Sequence, residues 1–135
     1  MADDGKKKNI LVIDDSEAHL TITEVMLEEV FKVTLAQSGE AALEMLYNGF
    51  IPDLILLDIM MPEMDGWETY NQIRAISFLK DMPIVFVTSA SGNEVKTRAL
   101  RMGAVDFILK PLDREDIITR ISSILKIPTT FGSTD

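Results

Sequence analysis

Several polar residues stand at points where an apolar run stops. Asp14 and Asp15 follow residues 9–13, Asp58 follows 53–57, Thr88 and Ser89 follow 83–87, and Lys110 follows 105–109. If those runs are parallel strands, their C-terminal ends share one sheet edge, and the residues meet in the crevice where such folds bind ligands. Three carboxylates brought together repel one another unless a cation sits among them. An all-oxygen set with few carboxylates suits Mg2+, which keeps several waters. Lys110 adds a positive charge and the Thr88 hydroxyl a hydrogen bond, so the crevice suits an anion rich in oxygen, and a phosphoryl group fits that description. Asp58 differs from the acidic pair in standing alone; a carboxylate beside Mg2+ and an ammonium group can attack phosphorus and form an acyl phosphate. Such a transfer needs positioning and charge stabilisation more than a general base. The single histidine, His19, falls in a helical segment and reads as a surface residue with no role at the strand ends.

These residues need a frame to hold them. The four runs are short, rich in β-branched residues and mostly continuous rather than alternating, as strands covered on both faces must be. Residues 31–36 alternate, with Phe31, Val33 and Leu35 against Lys32 and Thr34, which places them at a sheet edge. Between the runs lie helical stripes: Ala18, Ile22, Val25 and Met26 form one, and Ile117, Ile121, Ile124 and Leu125 another. Weaker stripes run through Ala42, Met45 and Leu46, through Trp67, Tyr70 and Ile73, and through Val95, Ala99 and Met102. Gly49, Pro52 and Gly103 mark helix exits, and Asp113 is an N-cap candidate after Pro111. Five strand-helix repeats predict a doubly wound α/β fold with right-handed crossovers and helices on both faces of a parallel sheet.

Composition agrees with one domain. The chain has 135 residues, 47% of them hydrophobic, enough for a core without staples, and it has no cysteine for a disulfide, a thiolate metal site or a thiol nucleophile. A formal charge of −9 opposes direct nucleic-acid binding. No apolar run approaches the length of ~20 residues that spans a bilayer, and residues 1–8 are polar with no apolar segment behind them long enough to read as a signal peptide. The expectation is a cytoplasmic protein with no membrane contact. Residues 1–8 read as a flexible lead, 9–126 as the domain and 127–135 as a flexible tail.

Taken singly, the polar residues have ordinary readings: a helix-capping turn at Asp14-Asp15, a solvated loop acid at Asp58, a strand end at Thr88 or Lys110. Taken together they resemble a known family. The stretches Ile10-Leu11-Val12-Ile13-Asp14-Asp15-Ser16, Asp53-Leu54-Ile55-Leu56-Leu57-Asp58-Ile59-Met60-Met61-Pro62, Met64-Asp65-Gly66, Pro83-Ile84-Val85-Phe86-Val87-Thr88-Ser89-Ala90 and Gly103-Ala104-Val105-Asp106-Phe107-Ile108-Leu109-Lys110-Pro111 resemble, in order and spacing, the receiver domain of two-component response regulators. The likeness covers residues 9–126.

That resemblance implies a flavodoxin-like (βα)5 fold of the kind seen in chemotaxis response regulators, with strand order 2-1-3-4-5. It implies Asp58 as phosphoacceptor, and Asp14, Asp15, Asp58 and the Met60 backbone carbonyl as holders of Mg2+. Lys110 then pairs with the phosphoryl oxygens, Thr88 is the hydroxyl that moves to them, and Phe107 is the aromatic switch residue that follows; a cis bond is expected at Lys110-Pro111. Met60 and Ala90, two residues beyond Asp58 and Thr88, lack the polar groups with which some receivers place a hydrolytic water, so a long-lived phosphoryl form is expected.

The implied function is a phosphorylation-controlled switch rather than an enzyme. The donor would be a sensor histidine kinase or a histidine phosphotransfer protein, and the output a protein partner bound on the face of helix 4, strand 5 and helix 5. With no effector after residue 126, a stand-alone receiver or a relay is expected. The alternative is an Mg2+-dependent aspartyl-phosphate hydrolase of the haloacid dehalogenase type, but its nucleophile opens a D-x-D motif after the first strand, which Asp14-Asp15-Ser16 lacks. A flavodoxin-type flavin binder would need phosphate donors in the first loop, where this chain carries two carboxylates.

Overall fold

A computed structural model describes residues 7–90 and 92–128. Most of the expected lead and tail therefore lies outside the described residues. Five strands, β1 (Asn9–Ile13), β2 (Lys32–Ala36), β3 (Leu54–Leu57), β4 (Ile84–Thr88) and β5 (Asp106–Leu109), alternate with five helices. The helices are α1 (Glu17–Leu27), α2 (Gly39–Tyr47), α3 (Gly66–Arg74), α4 (Asn93–Arg101) and α5 (Arg114–Leu125), with a 3-10 turn at Ser77–Leu79. All strand pairs are parallel and the order is β2-β1-β3-β4-β5, the order that the resemblance implies.

Burial explains the two kinds of strand. β1, β3 and β4 sit inside the sheet and are apolar along nearly their whole length, because both faces are covered. β2 is an edge strand, as its alternation predicts, with Lys32 exposed and only Ala36 buried. One face carries α1 and α5 over Ile10, Val12, Leu56, Val85 and Ile108. The other carries α2, α3 and α4 over Leu11, Ile13, Ile55, Leu57 and Phe86. Each fully buried Leu, Ile or Phe contributes roughly 1.5–3 kcal/mol of transfer free energy, and that sum holds the strand ends in place.

Four helices start on a side-chain cap that accepts the amide three residues on: Ser16 from His19, Ser38 from Ala41, Asp65 from Glu68 and Asp113 from Asp116. The Asp113 cap is as predicted, and Gly49 and Gly103 end helices at positive φ. Gly66 has a different role. A Cβ there would collide with the Asp58 carbonyl oxygen and lie 2.6 Å from Ile59 Cα, so only glycine lets α3 start against the loop that carries Asp58.

One expectation fails. The stripe through Ala18, Ile22, Val25 and Met26 does not face the sheet: Ile22 is 50% and Val25 62% exposed. α1 instead buries Leu20, Thr23 and Leu27. At 3.6 residues per turn, Ile22 and Val25 each sit about 200° from a residue of that buried face, so two apolar stripes compete and the one with two leucines wins. Only Met26, beside Leu27, packs partly against the core.

Candidate functional site

The sheet sets the site one backbone hydrogen bond at a time. Just beyond the strands, the Asp14 amide donates to Ala36 O at 3.1 Å, the Asp58 amide to Ile13 O at 3.0 Å, and the Lys110 amide to Thr88 O at 2.9 Å. The parallel ladder thus continues past the apolar runs, and the polar side chains converge at its C-terminal edge. The Lys110-Pro111 bond is cis.

Asp14 and Asp58 are buried carboxylates, at 4% and 6% exposure, with Asp15 half-buried beside them. One oxygen from each of the three lies within 4.8 Å of the others. Ser16 N donates to Asp14 Oδ1 at 2.9 Å and Met60 N to Asp58 Oδ1 at 3.3 Å, which fixes both carboxylates. The other oxygens face Lys110, whose Nζ lies 2.6 Å from Asp14 Oδ2 and 3.5 Å from Asp58 Oδ2. Burial pushes the Asp58 carboxyl above its usual pKa range; Lys110 opposes this, the charge of Asp14 adds to it, and the Met60 amide and Thr88 hydroxyl act to lower it.

Thr88 is completely buried, and its Oγ1 accepts from the Ala90 amide at 3.2 Å. Ser89 is exposed and stands outside the cluster. Phe107 is buried next to Phe86 in the β4–β5 register. Phe86 in turn meets Trp67 at 5.0 Å and Tyr70 at 5.5 Å between ring centroids, and the Arg98 guanidinium lies 4.2 Å over Trp67. This row of rings and cation links the strand that ends in Thr88 to α3 and α4. Met60 is 62% exposed at the mouth of the crevice.

His19 corrects the sequence reading. It is on a helix and half-exposed, as expected, but it belongs to the crevice: Nδ1 is 2.9 Å from Lys110 Nζ and 3.8 Å from Asp14 Oδ2. The available signal was its place in the first turn of the helix that leaves the Asp14-Asp15 loop, since that turn lies at the same edge as the strand ends.

The described residues thus bring together hard oxygen ligands, a carboxylate able to attack phosphorus, an ammonium group and a hydroxyl. Comparison with known proteins gives the family. The profile of the response regulator receiver domain matches residues 10–122. The chain is 36% identical over 118 residues to response regulator PleD of Caulobacter vibrioides, covering 87% of this chain and 26% of that protein. It therefore spans about a quarter of that relative's length. It is 33% identical over 123 residues to two-component response regulator ORR5 of Oryza sativa subsp. japonica, covering 90% of this chain and 92% of that one. Among solved structures, the Vibrio cholerae chemotaxis protein CheY4 superposes with a TM-score of 0.81 at 26% identity, covering 87% of this chain and 98% of that one. These matches give the haloacid dehalogenase alternative no support. Sequence motifs, strand order and site agree: the chain belongs to the response regulator receiver domain family.

Proposed function

We propose that this chain accepts a phosphoryl group on Asp58 from a sensor histidine kinase or a histidine phosphotransfer protein, and that the resulting aspartyl phosphate changes a protein-binding surface. The observation that carries this reading is the placement of one buried carboxylate, Asp58, within reach of both a pair of acids and the ammonium of Lys110. A carboxylate oxygen of Asp58 attacks phosphorus, the bond from phosphorus to the donor nitrogen breaks, and the electron pair leaves with the donor imidazole. Lys110 is in reach of the incoming oxygens, and the Thr88 hydroxyl lies on the same strand edge to receive them.

Three carboxylates within 4.8 Å, with repulsion from Asp14 raising the Asp58 pKa, fit a hard divalent cation. Asp14, Asp15, Asp58 and the Met60 carbonyl would hold Mg2+, which when bound neutralises the acids and the developing phosphoryl charge. The output surface proposed is α4, β5 and α5, where Leu100, Leu109 and, just before β5, Val105 are all more than two-fifths exposed. The movement of Thr88 and the rotamer of Phe107 would carry the signal there. No helix of the described residues is long and apolar enough to cross a membrane. Incubation with acetyl phosphate and Mg2+ tests the reading: one phosphoryl mass should be gained and EDTA should prevent it, whereas labelling that ignores EDTA would contradict it.

A further inference from the structure

We propose that His19 is a positioning residue for Lys110, an inference that rests on the reading of Asp58 as the phosphoacceptor. An ammonium group only donates hydrogen bonds. The 2.9 Å contact between Lys110 Nζ and His19 Nδ1 is therefore a bond that the imidazole accepts, with its own proton on Nε2. His19 is held for this by a closed ring of bonds. Lys110 Nζ donates to Asp14 Oδ2, the Ser16 amide donates to Asp14 Oδ1, the His19 amide donates to Ser16 Oγ, and Lys110 returns to His19 Nδ1. The β1–α1 loop and the first turn of α1 thus fix both partners of the lysine, a ligand acid and an imidazole, 91 residues or more away in the chain.

The ring matters because packing alone does not confine the lysine on that side. A recess of about 230 Å3 opens between α1 and Lys110, lined besides His19 by Ile22, Thr23, Met26, Pro111 and Leu112. The Thr23 hydroxyl is the one oxygen acceptor among those side chains and is neutral, so a carboxylate draws the ammonium more strongly. Without His19, the third N–H of Lys110 turns to the remaining carboxylate, Asp58, now 3.5 Å away. Closer pairing would occupy the nucleophilic oxygen and the place that a phosphoryl oxygen must take. His19 keeps the ammonium at the rim of the crevice, with Asp58 free to attack.

The test compares phosphorylation rates of wild type, His19→Leu and His19→Asn with acetyl phosphate and Mg2+, followed by intact mass. The amide oxygen of asparagine can replace Nδ1 as acceptor, whereas leucine cannot. We expect His19→Leu to be slower by about tenfold, an ordinary cost of misplacing a catalytic group, and His19→Asn to recover most of the rate. A merely structural role for His19 gives the opposite order, because leucine is the better helix former. A His19→Leu rate equal to wild type, or an asparagine variant as slow as leucine, overturns the proposal. A wild type that takes no label overturns the acceptor reading itself, and this inference with it.

Discussion

Lys110 donates its shortest hydrogen bond, 2.6 Å, to Asp14 rather than to Asp58. The ammonium therefore acts first as the counter-ion of an acid proposed to hold Mg2+, and lysine and metal draw on the same negative charge. Lys110→Met removes one competitor. We expect it to bind Mg2+ more tightly than wild type by isothermal titration, by severalfold, while taking label from acetyl phosphate more slowly. Weaker Mg2+ binding by Lys110→Met would show that the lysine organises the acids rather than competing for them.

Stability should report the strain of the acid cluster. The Asp58 carboxyl is raised above 3.8, chiefly by burial, with the Asp14 charge adding to it. Folding then takes up a proton in the interval between the ordinary and the raised pKa. Stability from this group is greatest below that interval and falls as pH rises through it, after which the ionised carboxylate is a net cost. In EDTA at pH 7, Asp58→Asn should melt a few degrees above wild type, and the gap should close as pH is lowered toward 3.8. Asp15→Asn, which relieves repulsion in the cluster while leaving the Lys110–Asp14 pair intact, should shift in the same direction. Lower melting of both at pH 7 would assign the acids a structural role.

Much of this architecture was legible because parallel strands and their helices obey simple periodicities. Central β1, β3 and β4 read as continuous apolar runs, and β2 betrayed its edge position by alternation. Convergence of Asp14, Asp58, Thr88 and Lys110 followed from one rule, that parallel strands end on one edge. What failed depended on facts a periodicity does not contain. Ile22 and Val25 are apolar at helical spacing, yet spacing does not say which of two stripes meets the sheet, and the leucines at 20 and 27 took it. His19 was missed because its partner lies across a long stretch of chain, and because a half-exposed helical histidine has no local mark of function. The row from Phe86 through Trp67 to Arg98 had no mark of its own in the sequence, where Trp67 reads only as part of a helical stripe.

Lifetime of the phosphoryl form should follow the rim of the crevice. Hydrolysis needs a water held in line behind phosphorus, and placement of that kind alters rates by orders of magnitude. The Met60 side chain is exposed at the mouth and apolar, and Ala90 offers only its amide, already given to Thr88 Oγ1. Slow loss of phosphate is expected, and Met60→Asn with Ala90→Glu should speed it while leaving Asp58 able to take label. Wild type that loses phosphate as fast as the double variant would remove these positions from the control of the water.

The central claim is that Asp58 is the nucleophile, and mass spectrometry of the intact protein and its peptides after acetyl phosphate and Mg2+ treatment tests it most directly. The account predicts one added phosphoryl group on the peptide that contains Asp58, and none on Asp58→Asn, because an amide is too poor a nucleophile to attack phosphorus. Equal labelling of Asp58→Asn would contradict it.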